Sequence, residues 1–253
     1  MTRRNLAHVR QIPEKLLDVT IQPVMFVVLF AYVFGGVIAV PGGNYREYLI
    51  AGVIVQSLGF GIMGPATSIA TDLREGVVDR FRSLPMARSA YLLGNLIAEL
   101  LAMALAILVL SLAGLIVGWR IHSSFLEATA AYALLLFFAF AMLWVGTLIG
   151  LIVRSSDAAQ GAVFIVIFPM TFLATTFVPI SGFTGILRVL AAWNPISALS
   201  GAVRLLFGNP TATPADAPWP LMHSVITSVG WCTLIAAIAL PLAIRQYAVK
   251  ARG

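Results

Sequence analysis

The sequence predicts an all-α integral membrane protein. It has six transmembrane helices, an N-terminal amphipathic interfacial helix, and an outer re-entrant helical hairpin before the last helix. Three observations predict this. The chain is 60% hydrophobic and only 10% charged, where soluble domains carry about 25% charged residues. Its mean hydropathy is +0.97. Apolar runs of roughly 20 residues recur along it, the length needed to cross a ~30 Å hydrocarbon core. The sparse charge is gathered in one place: Asp72, Arg74, Glu75, Asp79, Arg80, Arg82 and Arg88 lie within a single stretch bounded by two such runs. No polar segment is long enough for a second, soluble domain, so residues 1–253 form one membrane domain.

Residues 2–17 alternate Arg3, Arg4, Arg10, Glu14 and Lys15 with Leu6, Val9, Leu16 and Leu17 at near-helical spacing. They are expected to form an amphipathic helix on the membrane surface, the alternative being a frayed basic tail. The first span is expected over 19–40, closed by the turn Pro41-Gly42-Gly43-Asn44. The second, over 48–71, holds Gly52, Gly59, Gly61 and Gly64, which permit close helix contact, and Pro65, which is expected to kink it. After the charged island come spans at 91–117, 128–153 and 158–177. Gly114/Gly118 and Gly146/Gly150 are small-xxx-small pairs, read as ordinary packing.

Residues 178–207 are apolar but interrupted by Pro179, Gly182, Gly185 and Asn194-Pro195, and they carry Arg188 and Arg204. The pieces 185–192 and 195–207 are too short to cross the core. Asn194 before Pro195 is a good cap and first-turn pair for the second piece. Two short helices in a re-entrant or interfacial hairpin are expected; one distorted span is the alternative. The last span is expected over 221–244.

Orientation follows from arginine and lysine. The N-terminus, the 72–88 loop, Arg154 and the C-terminus hold twelve of the sixteen cations. That side is cytoplasmic, so both termini and the charged island face the cytoplasm. Trp119, Trp193 and Trp219 then fall near the outer interface, where an aromatic belt is expected.

Several chemistries are excluded. Lys15 follows Glu14 and Lys250 follows Val249, so no Gly-Lys-[Ser/Thr] phosphate loop exists. His8, His122 and His223 are far apart, no metal-ligand spacing occurs, and there is no Gly-x-Ser-x-Gly elbow. Cys232 is the single cysteine, so no intramolecular disulfide forms. One ionisable residue lies plainly inside a span, Glu99, placed ~10–12 Å from the cytoplasmic end of the third helix. It either lines a substrate path or pairs with an arginine, or it is a structural partner near the interface.

Within the island, 71–82 reads as mostly helical with Leu84-Pro85 as its stop. Val77, Val78, Phe81 and Leu84 give an apolar face beside both signs of charge. Such a helix suits a groove on a soluble partner; a solvated, positive-inside loop is the plain alternative. The run Glu75-Gly76-Val77-Val78-Asp79-Arg80-Phe81-Arg82-Ser83-Leu84-Pro85-Met86-Ala87-Arg88, then Leu93-Gly94 and Glu99, resembles the signature of ABC-2 type transporter permeases. The resemblance is to their daunorubicin-resistance group of drug and lipid exporters. Asp18-Val19-Thr20, Gln22-Pro23-Val24-Met25-Phe26, Phe177-Val178-Pro179, Asn194-Pro195, Arg204 and Gly208-Asn209-Pro210 also resemble that group; Asn95 departs from it, standing where relatives often have Arg or Lys.

The resemblance implies a six-span permease working as a dimer, of two copies or with a sister chain. It implies a bacterial plasma-membrane location and a separate cytoplasmic ATPase that binds ATP and Mg; this chain has no cofactor or metal of its own. It places a coupling helix at 72–88, with Arg74, Glu75, Gly76, Asp79, Arg80, Phe81, Arg82, Pro85 and Arg88 as candidate ATPase-coupling residues. Outer re-entrant helices fall at 183–207, with Asn194, Pro195 and Arg204 as their marked residues. Cargo would be hydrophobic or amphipathic. The rival readings are a membrane-embedded lipid-processing enzyme, for which Glu99 alone is suitably placed, and an ATP-independent channel or scaffold.

Overall fold

The computed structural model describes residues 13–35, 38–75 and 89–250, and among these every regular element is helical. In order they are α1 (Pro13–Val33), α2 (Tyr45–Phe60), α3 (Met63–Arg74), α4 (Ser89–Val117), α5 (Phe125–Ile152), α6 (Ser156–Phe172), α7 (Gly185–Trp193), α8 (Pro195–Phe207), α9 (Trp219–Met222) and α10 (Ser224–Lys250), with a short 3₁₀ turn at Ile180–Gly182. The amphipathic stretch 2–17 falls outside the described residues up to 12. Residues 13–17 continue into α1, so the boundary expected before Val19 is not there.

Among the described residues, four helical stretches are long and apolar enough to cross a membrane: Tyr45–Arg74, Leu93–Val117, Phe125–Ile152 and Ser224–Lys250. Two more apolar helices, Val24–Val33 and Ser156–Phe172, are shorter. α1 ends at Val33 rather than at 40. The expected turn at Pro41 is present, with Gly42 at φ +84°. Asn44 then caps α2, its side chain accepting from the Arg46 amide at 2.9 Å.

The second span breaks as Pro65 requires, but four residues earlier. Proline has no amide to donate to the Gly61 carbonyl, and its ring crowds that carbonyl. The chain accordingly leaves regular helix at Gly61-Ile62 and resumes at Met63. At about 1.5 Å per residue the 30-residue Tyr45–Arg74 stretch is ~45 Å long and outreaches a ~30 Å core.

α4 ends in a Schellman motif: the Trp119 amide donates to the Gly114 carbonyl at 2.9 Å, with Gly118 at φ +104°. Ser124 and Glu127 form a capping box that starts α5. α5 is the central helix, packed against α10, α3, α8, α4, α2 and α6. Gly146 and Gly150 lie directly under the Ile62 and Ala66 carbonyls. They let α3 approach to backbone contact within one chain, as small residues in membrane helices do.

α6 stops at Phe172, short of the expected 177. The reason is that the carbonyls beyond it are claimed by side chains of the hairpin. α7 and α8 are inclined at 66° across Asn194. α10 starts at Ser224 rather than 221 and continues through Pro241 to Lys250.

Candidate functional site

Three regions hold the residues singled out above. The first is the C-terminal end of α3. Arg74 closes the helix and Glu75 follows as its cap, both exposed. Gly76, Asp79, Arg80, Phe81, Arg82, Pro85 and Arg88 lie outside the described residues.

The second region is a seam where α3 and α4 run antiparallel. The Asn95 amide donates to the Ser68 hydroxyl at 3.3 Å. One turn on, the Glu99 carboxylate lies against Gly64: a methyl group there would come within 2.6 Å of Oε2. A further turn on, the Met103 methyl covers Gly61. Residues 95, 99 and 103 thus face 68, 64 and 61 in step, long side chains over small ones. Asn95 is therefore a seam residue. Glu99 is half-buried and ten residues into α4, about 15 Å along the helix from Ser89 at ~1.5 Å per residue.

The third region is a clasp built on Arg204, which is fully buried. Among the described residues no carboxylate pairs with it. Its Nε donates to the Tyr48 carbonyl at 2.8 Å. Its two terminal nitrogens donate to the Thr175 and Thr176 carbonyls, each at 2.9 Å. Its guanidinium stacks on the Tyr48 ring, 3.4 Å from the centroid. The Tyr48 hydroxyl also donates to the Thr175 carbonyl, at 2.7 Å. The planar fork of arginine suits this set of divergent carbonyls, where a lysine ammonium would reach fewer. Gly52 makes room for it, because a side chain there would strike the Thr176 carbonyl.

Asn194 serves both helices of the bend. Its amide donates to the Met170 and Leu173 carbonyls at 2.7 and 3.1 Å, and its oxygen accepts from the Ile196 amide at 2.9 Å. Pro195 occupies the first turn of α8. Ser197 Oγ accepts from the Thr175 amide at 2.9 Å. α8 ends in a second Schellman motif on Gly208, φ +69°. Asn209, just beyond, joins the two motifs: it accepts from the Trp119 indole at 2.7 Å and donates to the Arg120 carbonyl at 2.8 Å. Trp119 is therefore a buried clasp residue, while Trp193 and Trp219 are exposed as a belt requires. His122 and Glu47 pair at 2.8 Å on the rim. Arg188 pairs with Asp216, and its hydrogen bond and charge hold that exposed carboxyl below the usual carboxylate range.

Tyr48, Thr175 and Thr176 were not visible as site residues in the sequence. Their contribution is mostly backbone carbonyl, which no residue letter announces. The only signal was an arginine inside an apolar segment, which in lipid must find partners.

Residues 1–207 match the family described as ABC-2 type transporter. The chain belongs to the ABC-2 type transporter family. It is 29% identical over 241 residues, 95% of this chain and 82% of the relative, to the daunorubicin resistance ABC transporter permease protein DrrB1 of Streptomyces coeruleorubidus. It is 24% identical over 213 residues, 81% of this chain and 74% of the relative, to the doxorubicin resistance ABC transporter permease protein DrrB of Mycobacterium tuberculosis. It is also 24% identical over 234 residues, 90% of this chain and 80% of the relative, to the probable doxorubicin resistance ABC transporter permease protein DrrC of that organism. The chain is a multi-pass membrane permease subunit, a transport component with no ATPase site of its own.

Proposed function

We infer that this permease moves a hydrophobic or amphipathic drug or lipid-like molecule out of a bacterial cell, across the plasma membrane. A separate cytoplasmic ATPase binds ATP and Mg and supplies the energy. In this reading six spans cross the membrane, α1 and α6 completing the four long ones, and both termini are cytoplasmic. A second permease, this chain or a sister, completes the path. Residues 1–17 lie on the inner surface, 72–88 dock on the ATPase, and 183–207 re-enter from outside.

The observation that carries the reading is the charged 72–88 run in a chain that belongs to the ABC-2 family and has no phosphate loop. Energy has to arrive through a contact, and this run is the densest charged stretch of the sequence. Drug cargo is supported by the names of three relatives that align over four-fifths or more of this chain. Glu99, half-buried on the α3–α4 seam, is the intramembrane charge placed to meet cargo or to set the position of α3.

The test is export in cells expressing the chain with its ATPase. Glu75→Arg or Arg80→Glu abolishes export and leaves membrane insertion intact. Unchanged export by both variants removes the docking assignment.

A further inference from the structure

We propose that Gly61, Ile62 and Pro65 form a hinge through which α3 carries motion from the ATPase contact into the membrane. This rests on the coupling assignment of 72–88.

The stretch Tyr45–Arg74 is one continuous span made of two mechanically distinct halves. The outer half, α2, is fixed at several points. Asn44 caps it, the Tyr48 carbonyl and ring hold Arg204, and Gly52 lets the Thr176 carbonyl lie against its backbone. These contacts tie α2 to the end of α6 and to α8. The inner half, α3, runs directly into the charged island, with Asp72 and Arg74 in its last turn and Glu75 as its cap.

Between the halves, Gly61 and Ile62 stay in the right-handed helical region, with ψ of −16° and −18°. The axis therefore runs on without a sharp bend, yet Pro65 denies the Gly61 carbonyl its helical partner. A helix with a missing bond at one point yields there first. Hinges of this kind absorb backbone rotation over a few residues at element ends.

The surroundings of α3 fit a pivot. On one side Pro65 sits in a notch on α5 left open by Gly146, where a methyl group would come within 2.8 Å of its ring. Gly150 receives the Ala66 carbonyl one turn further in. That side is backbone against backbone and gives a firm bearing. On the other side, among the described residues, the ends of Asn95, Glu99 and Met103 of α4 lie over Ser68, Gly64 and Gly61 of α3. Flexible side-chain ends over small residues can slide where interlocked ridges cannot. Motion of α3 about the Gly146 notch would shift Gly64 relative to Glu99, so the stroke reaches the intramembrane carboxylate directly.

Two variants test this in the permease–ATPase complex, with a fluorescent anthracycline, doxorubicin, as the cargo probe. Pro65→Ala restores the amide and stiffens the helix. Ser68→Cys with Asn95→Cys, in a Cys232→Ala background, places two thiols where the seam hydrogen bond now runs, and oxidation locks α3 to α4. The expected result is ATP hydrolysis within about twofold of the parent and export reduced at least tenfold, in Pro65→Ala and in the oxidised pair. Reductant restores export in the cysteine pair. A merely structural role would lower complex yield and hydrolysis together and would not respond to reductant. Export within twofold of the parent in Pro65→Ala, or in a fully cross-linked pair, overturns the hinge. If the parent chain neither binds an ATPase nor exports, the coupling assignment fails and the hinge falls with it. If the parent works and the variants do not uncouple, the hinge alone fails.

Discussion

Gly52→Ala and Gly59→Ala place the same added methyl on the same helix and should change stability in opposite directions. By intrinsic preference each gains up to about 1 kcal/mol, because alanine suits a helix better than glycine. At Gly59 the nearest atoms to the new methyl are Ile196 Cδ1 and Thr171 Cγ2, both at 3.8 Å, an ordinary van der Waals contact. The gain there should survive. At Gly52 the methyl runs into the Thr176 carbonyl and comes within 2.9 Å of an Arg204 terminal nitrogen. A backbone carbonyl held by a buried arginine cannot swing aside cheaply. Overpacking costs ~1–3 kcal/mol. Displacing Thr176 from Arg204 sacrifices a charge-assisted hydrogen bond worth ~1.5–3 kcal/mol. After the helix gain is subtracted, the net loss is about 2–4 kcal/mol. For a chain of this size that lowers the unfolding midpoint by roughly 5–15 °C, while Gly59→Ala raises it by up to a few degrees. Thermal unfolding of the purified protein in mild detergent, followed by size-exclusion recovery, reads both. A Gly52→Ala midpoint at or above that of the parent would refute the account of the Arg204 clasp.

Three further outcomes follow from the same geometry. Trp119→Phe removes the indole donor and leaves the Asn209 oxygen buried, at a cost of ~1–3 kcal/mol; combined with Asn209→Ala it should cost clearly less than the sum of the two singles in thermal unfolding, because the two share one bond. Glu99→Gln keeps the shape against Gly64 but removes the charge; export should fall by about tenfold or more with expression unchanged, and export within twofold of the parent would return Glu99 to a packing role. Asp216 has its carboxyl lowered by the hydrogen bond from Arg188, so its contribution is complete above the ordinary carboxylate range and is lost as pH falls through the lowered value. That pair is on the surface, so Asp216→Asn should lower the midpoint only slightly at neutral pH and flatten its acid-side decline by the same small amount.

The parts of the fold that depend on local chemistry were readable from the residues. Asn194-Pro195 announced a cap and a first helical turn, and the structure bends there by 66°. Pro65 announced a break, and its position relative to Gly61 follows from the bond a proline cannot make. Gly146 and Gly150 were read as packing residues, and they receive α3 of the same chain. The long spans stood out because lipid demands continuous apolar length. What the residues did not disclose was the set of long-range partners. Arg204 lies 156 positions from the Tyr48 carbonyl it binds and 28 from that of Thr176. A carbonyl is common to every residue, so no pattern marks the ones that will be claimed. Trp119 was assigned to a lipid-facing belt for the same reason, its indole partner being 90 positions away. The end of α6 was placed too late because the hairpin side chains that replace its last hydrogen bonds are invisible to periodicity.

The central claim is that this chain transports only when a separate ATPase drives it through residues 72–88. Proteoliposomes containing the permease with its ATPase, loaded with ATP on the cytoplasmic side, test it directly by the appearance of doxorubicin on the opposite side. The account predicts movement that needs both subunits and ATP, and that stops with Glu75→Arg while the subunits remain in the membrane. Transport by the permease alone, or in the absence of ATP, would contradict it.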